Sequence, residues 1–234
     1  MNILFIGAHP DDLEAYAGGT IAKCVQRGDR VTMAVATNGN VGSPTHSRAE
    51  IAAIREAEAR AAAATLGAAE FIWLNEDDEF LFENERTRRK FVDAMRRAQA
   101  ELVVTHNPGD YHPDHIACSH LATNARILAA VRLVETERPA LAKIPELYQM
   151  DSAAGLNFQP QEYVDITAQM DLKRQALAKH QSQNVWAKAI FQQDLVQFME
   201  RHTSFRGLQA GVAFAEGFIR PLTWPRLPGK TLLP

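Results

Sequence analysis

The sequence predicts an α/β fold, a Rossmann-like doubly wound and mainly parallel sheet with helices on both faces. Three observations lead there. Short apolar runs alternate with longer stretches of helical composition through residues 1–136, which is the βαβα order of a doubly wound sheet. The runs are nearly continuous in their apolarity, as strands covered on both faces are. With 234 residues, 46% apolar and 23% charged, the chain can bury a full core without a metal or disulfides.

In chain order, the first strand is Ile3–Ile6 and the first helix covers about 13–27. Val31–Val35 is the second strand. A helix over 47–66 follows, opened by Ser47 with Glu50 in capping-box spacing, filled with Ala, and closed where Gly67 can take a left-handed conformation. Phe71–Leu74 is the third strand. In the helix after it, about 85–99, Phe91, Met95 and Ala98 share one stripe. Its Arg86, Arg88, Arg89, Lys90, Arg96 and Arg97 read as a solvated basic face. Leu102–Thr105 and a helix over 114–135 complete the first part, and right-handed crossovers set most of its topology.

After residue 136 the pattern loosens into a strand-like Leu147–Met150, helical segments at about 168–182 and 187–203, and an apolar stretch Val212–Phe218. Trp186, Phe191, Phe198 and Phe205 recur at near-helical intervals and read as core or subunit interface rather than a sugar-stacking platform. Pro221, Pro225, Pro228 and Pro234 exclude a helix from the last fourteen residues and predict an extended run over this chain or a neighbouring subunit. The expectation is one domain over 1–234: a core over 1–136 carrying a metal site, 137–220 completing a pocket, and a tail over 221–234.

A net charge of −3 gives no footprint for nucleic acid or an anionic membrane, so a small-molecule partner is expected. Cys24 and Cys118, with no C-x-x-C pair, argue against a disulfide framework. With no basic leader and no apolar run near the ~20 residues of a membrane span, the chain reads as soluble and cytoplasmic. The tail and the aromatic helix are the features that would serve a homo-oligomer.

His9-Pro10-Asp11-Asp12 and His112-Pro113-Asp114-His115 each follow an apolar run closely. If those strands are parallel neighbours, both clusters meet in one crevice and suggest a divalent metal site. Imidazole and carboxylate suit Zn²⁺, whose catalytic sites keep three protein ligands and one open position. Asp11 and Asp12 are adjacent, so their side chains diverge and invite different jobs, one as ligand and the other as general base. His112 and His115, three residues apart and so on one side if the chain turns helically here, divide in the same way, one as ligand and the other facing substrate. The competing reading has His9, Asp12 and the second cluster merely capping helices.

Ala8-His9-Pro10-Asp11-Asp12, followed by Glu14 and Gly18-Gly19-Thr20, together with Asp110-Tyr111-His112-Pro113-Asp114-His115, resembles the PIG-L/LmbE-like zinc-dependent de-N-acetylase family. The likeness extends to Thr37-Asn38-Gly39, Arg55-x-x-Glu58 before Leu66-Gly67, and Lys173 with His180-Gln181-Ser182-Gln183, with a weaker echo at Ala215-Glu216-Gly217-Phe218. The resemblance implies His9, Asp12 and His115 as zinc ligands, Asp11 as general base, and His112 as acid or electrostatic stabiliser. It implies removal of acetyl groups from amino sugars such as N-acetylglucosamine derivatives.

On the substrate side, Arg55 and Glu58 could be an exposed ion pair, but the resemblance implies that Arg55 contacts substrate. Asp78 falls where the family carries an acid, although its usual Pro-Asp-Gly reads Asp77-Asp78-Glu79 here. Asn38 opens toward the same crevice and could bind substrate or form a turn with Gly39. The resemblance implies a tyrosine that helps polarise the carbonyl, but some relatives carry it one residue further upstream than Tyr111, which abuts His112 here; Asp114 could orient a ligand imidazole. His180 is either a pocket wall or a helix-end histidine. His46, His106, His120 and His202 read as structural or solvated. The rival classes are a nucleotide- or cofactor-binding module and a metal-binding scaffold without activity. Against the first, the sequence has neither G-x-G-x-x-G nor a phosphate loop.

Overall fold

The computed structural model describes residues 1–225 and 233–234. Among them, β1 (Asn2–Gly7), β2 (Arg30–Thr37), β3 (Glu70–Glu76), β4 (Leu102–Thr105), β5 (Glu146–Met150), β6 (Glu162–Asp165) and β7 (Ala215–Ile219) form one sheet. Its order is β3-β2-β1-β4-β5-β7-β6. Strands β1 to β5 run parallel, while β7 pairs antiparallel with β5 and β6. The expected doubly wound α/β fold is the one observed, with a small antiparallel edge added.

Alternation along the strands sends side chains to two cores. On one face Ile3, Phe5, Val31 and Met33 pack with Leu13, Ala17 and Ile21 of α1 (Asp12–Gln26) and Ala63 and Leu66 of α2 (Arg48–Leu66). On the other, Leu4, Ile6 and Ala34 pack with Phe91 and Met95 of α3 (Glu85–Arg97) and Cys118, Leu121 and Ala125 of α4 (Pro113–Ala129). A fully buried side chain such as Phe91 stabilises this arrangement by about 1.5–3 kcal/mol. The ends of α2 are those the sequence predicts: Ser47 Oγ accepts from the Glu50 N–H while Glu50 reaches back to Ser47 N at 2.8 Å, and Gly67 sits at φ 80°.

Three expectations need correction. The helix expected over 114–135 stops at Ala129, because Arg96 crosses its end and donates to the carbonyls of Leu128, Ala129, Val131 and Val134. Arg96 is therefore buried and does not belong to a solvated face. Its neighbours Arg86, Arg88, Arg89, Lys90 and Arg97 pair with Glu76, Glu83, Glu85, Glu76 and Glu70, which neutralises the basic stripe.

The two helical segments expected over 168–182 and 187–203 are three helices: α5 (Met170–Leu177), α6 (Gln181–Phe191) and α7 (Leu195–Ala210). Glu58 fixes the break before α6 by accepting from both the backbone N–H and the hydroxyl of Ser182, at 2.9 and 2.6 Å. Gln192, in the left-handed region at φ 54°, and the capping Asp194 fix the break before α7. The segment 151–164 contains a 3-10 turn at Ala153–Gly155 and the start of β6. The apolar stretch Val212–Phe218 becomes β7. In the tail, 221–225 carries no helix and Leu233 is buried in the α1-side core; the expectation for 226–232 lies outside the described residues.

Candidate metal centre and active site

Strand order reverses between β1 and β4, so the connections leaving them diverge and open a crevice at their carboxyl ends. The β1–β4 register, Ile3 to Leu102 and Phe5 to Val104, brings the residues just beyond both strands together. The turn after β1 is held by the Thr37 N–H donating to the Ala8 carbonyl at 2.8 Å and by Arg55 Nη2 donating to the Pro10 carbonyl at 2.9 Å. Asp11 closes the turn at φ 103°, a left-handed conformation that costs a non-glycine residue on the order of 1–3 kcal/mol. The kink sends the adjacent carboxylates apart. Asp11 faces Arg55 Nη2 at 3.5 Å, whereas Asp12 turns to His106 and His115.

Three donor groups lie in mutual contact, Asp12 meeting the two imidazoles through different oxygens. His9 Nδ1 lies 3.2 Å from His115 Nε2 and 3.4 Å from Asp12 Oδ2, and His115 Nε2 lies 3.3 Å from Asp12 Oδ1. A tetrahedral zinc with bonds of about 2.0–2.1 Å has ligand atoms roughly 3.3 Å apart. The second nitrogen of each imidazole faces a carboxylate, as those of metal-ligating histidines do. His9 Nε2 is 3.2 Å from both Asp78 and Asp114, and His115 Nδ1 is 3.0 Å from Asp110. These residues fit a divalent ion on distance and on donor chemistry, and overlapping His/Asp triplets that include His106 and His112 surround them.

The electrostatics point the same way. Burial works to lower the His9 pKa, but Asp114, Asp12 and Asp78 outweigh it and the net shift is well upward. Burial likewise opposes a charged His115, yet Asp12 and Asp110 carry it to about 9. Burial would raise Asp12, but His115 and His106 hold it well below the usual carboxylate range. The cluster thus draws in positive charge, and a metal ion competes for the sites that protons take. Asp11 behaves differently: burial pushes it up to about 6, against the opposing pull of Arg55.

His112 caps α4, its Nδ1 accepting from the Asp114 N–H at 3.2 Å, so the helix-capping reading is realised for this one residue. A neutral ring then carries its proton on Nε2, which lies 3.3 Å from Glu79. Burial, then the charges of His9 and His115, lower the His112 pKa. Asp114 accepts from the Glu79 and Leu81 N–H groups, tying the β3–α3 loop to the site.

A cleft of about 430 Å³ opens over this cluster. His9, Asp11, Asp12, Arg55, Asp78, Tyr111, His112 and His115 all line it. Arg55 is buried and bonded to backbone, and Glu58 serves α6 instead of pairing with it. Tyr111 is 59% exposed at the mouth. Asn38 is not part of the lining: it bonds Asn75 and accepts from the Asn40 N–H, the turn role. His180 is also away from the lining, fully buried 3.4 Å from Glu14. Glu216 accepts from Lys173 and from the Gly19 and Thr20 N–H groups.

Two groups escaped sequence reasoning. His106, read as structural or solvated, stacks on His115 at 4.1 Å and approaches Asp12 at 3.1 Å. Burial lowers its pKa to about 4. Its position immediately after β4, analogous to that of His9 after β1, was the available signal. The second group is aromatic: Trp186, Phe191 and Phe198 line the cleft, which corrects their assignment to core or interface. The helix break at Gln192-Gln193-Asp194, not visible as an interruption of periodicity, turns these rings to one wall.

Comparison with known proteins gives a consistent picture. The family model described as PIG-L, GlcNAc-PI de-N-acetylase, matches residues 4–126. Diacetylchitobiose deacetylase of Thermococcus kodakarensis is 26% identical over 236 residues, covering 92% of this chain and 81% of that protein. The structure of N,N'-diacetylchitobiose deacetylase from Pyrococcus horikoshii, bound to an inhibitor, superposes with a TM-score of 0.81 at 27% identity, covering 93% of this chain and 82% of the other. GalB, the 4-carboxy-2-hydroxymuconate hydratase of Pseudomonas putida KT2440, also superposes with a TM-score of 0.81, at 25% identity over 97% of this chain and all of the other, 100%.

Proposed function

The chain belongs to the PIG-L, or GlcNAc-PI de-N-acetylase, family, and from that premise we propose a zinc-dependent hydrolase that removes the acetyl group from an N-acetylated amino sugar or a related small-molecule amide. The observation that carries the reading is the close approach of His9, Asp12 and His115, with Asp11 beside them in the same cleft. His9, Asp12 and His115 would hold the ion. When bound, it supplies Lewis-acid chemistry, acidifying water and polarising a carbonyl.

The rest falls to side chains. Asp11, outside that cluster and with its pKa raised by burial, takes a proton from the attacking water and returns it to the departing nitrogen. The acyl C–N bond breaks as a C–O bond forms, giving acetate and a free amine. His112 offers its Nε2 proton to the developing oxyanion. Arg55 holds the Asp11 turn, while Tyr111 at the mouth and Asp78 in the wall complete the substrate boundary. Residues 1–136 then supply the ligands and 137–220 the far wall of a single unit. The buried free thiols Cys24 and Cys118 support a cytoplasmic setting, and among the described residues no helix is long and apolar enough to cross a membrane.

The GalB likeness supports a second reading, a hydratase. A carboxy-substituted muconate carries several carboxylates, yet Arg55 is the one Lys or Arg side chain in the described lining, and it already serves Asp11 and two backbone carbonyls. Deacetylation is therefore favoured. The test is acetate release from N-acetylglucosamine and its glycosides by metal-stripped and zinc-reloaded protein. Zinc-dependent release of acetate and amine in equal amounts supports the proposal; zinc-loaded protein that releases none refutes it.

A further inference from the structure

The cleft has two unlike halves. Around the metal cluster it is carboxylate and imidazole, but α6 and α7 contribute Trp186, Phe191, Leu195 and Phe198, and the 3-10 turn region adds Leu156. Trp186 and Phe191 meet edge to face, with ring centroids 5.0 Å apart and planes at 85°. Two perpendicular rings make a trough, not the flat platform on which a pyranose face stacks. Phe191 and Leu156 remain 58% and 52% exposed, so this apolar surface is left in water at the edge of a reaction cleft. Such surface marks a binding site. The polar lining from the same segments is Gln183 and Gln193, too little to satisfy the hydroxyls of a second sugar ring.

Size leads to the same conclusion. A volume of about 430 Å³ falls in the range that encloses a drug-sized ligand, far beyond what an acetamide occupies. Since the acyl group transferred to water is only acetyl, the occupant of the trough must be attached to the amine. We propose that the α6–α7 wall is a subsite for an apolar, ring-bearing substituent on the amine part of the substrate, so that the enzyme selects N-acetylated amines carrying an aryl group over plain N-acetyl sugars. This specificity rests on the deacetylase reading above.

The experiment compares acetate release from methyl and phenyl N-acetyl-β-glucosaminides by zinc-loaded protein. The phenyl compound should have a kcat/KM about tenfold higher, expressed in KM. Trp186→Ala should bring the phenyl-to-methyl ratio to about two or below, while Trp186→Phe keeps most of the preference. Calorimetry with the free amines, phenyl and methyl β-glucosaminide, reads the wall without turnover. If both acetylated compounds are hydrolysed with a ratio near one, the subsite is wrong and the deacetylase stands. If neither is hydrolysed but the phenyl amine binds more tightly and loses that advantage in Trp186→Ala, the wall stands and the hydrolytic reading falls. A wild-type dimer that becomes a monomer in Trp186→Ala with an unchanged ratio assigns the wall to a second copy and overturns the proposal.

Discussion

Asp110 Oδ2 lies 3.0 Å from His115 Nδ1 while its Oδ1 accepts from the His112 N–H at 3.0 Å. One buried carboxylate therefore turns the His115 ring so that Nε2 faces Asp12 and His9, and also fixes the entry to α4. Replacing it with an amide of the same shape keeps the space filled but removes the charge that supports the imidazole. Asp110→Asn should weaken zinc binding by about 10- to 100-fold, as read by competition with a chelating dye. Unchanged affinity would show that His115 is oriented by packing alone.

Asp11 and Asp12 are neighbours in sequence with opposite surroundings, and substitution should separate them. Asp12 sits between two imidazoles, at 3.1 and 3.3 Å, so Asp12→Ala should purify without metal. Asp11 contacts Arg55 instead. Asp11→Asn should retain stoichiometric zinc and lose about 10²- to 10⁴-fold in kcat. Metal content measured beside turnover decides this, and an active Asp11→Asn enzyme removes Asp11 from the mechanism.

Much of this was legible because backbone rules are local. Apolar runs and caps gave the first four strands and α2, and the strand-end placement of both His/Asp clusters is a consequence of parallel topology, which the sequence expresses as alternation. The C-terminal helices were less legible: α5 and α6 are separated by Glu58 bonding Ser182 across 124 positions, and no periodicity encodes such a contact. Arg96 shows the same limit. Its sequence context is a run of basic residues, yet it alone is taken inside by five backbone carbonyls that converge from the end of α4 and the turn after it. His106 has one sequence signal, its place directly after β4, and no neighbouring Asp or His to form a cluster with it.

His112 distinguishes donor from ligand. Its Nδ1 is committed to the α4 cap, leaving Nε2 for an oxyanion. His112→Asn retains a capping side chain and removes that donor, so zinc should stay bound while kcat falls by about 10²- to 10³-fold. Loss of zinc in this variant would make His112 a ligand, a role its closeness to His9 and His115 also permits.

Arg96 should be a stability residue without bearing on the reaction. Arg96→Met fills similar space but strips the carbonyls of Leu128, Ala129, Val131, Val134 and Arg138 of a buried donor. Leaving such groups unsatisfied costs about 1–3 kcal/mol each before relaxation to water; a net loss of about 3 kcal/mol is expected in urea unfolding. A change below 1 kcal/mol, roughly the effect of one ordinary hydrogen bond, would mean that water replaces the guanidinium at the end of α4.

Asp194 ties the aromatic wall to pH. Its Oδ1 accepts from the Val196 and Gln197 N–H groups at 3.0 and 3.1 Å, capping the helix that carries Leu195 and Phe198, and Oδ2 meets Lys188 at 2.8 Å. The Lys188 ammonium, followed by the Gln197 N–H, lowers its pKa to about 2. The folded-state value lies below the unfolded one of about 3.9, so the carboxylate stabilises the fold above that pH and the contribution disappears as pH falls through about 2. Asp194→Ala should cost about 1 kcal/mol at neutral pH and Asp194→Asn only a few tenths, since Asn also caps. Urea unfolding at pH 7, 5 and 3 should give the same wild-type-to-Ala difference at the first two values and a smaller one at the third. A difference that holds at pH 3 would mean that the cap acts without its charge.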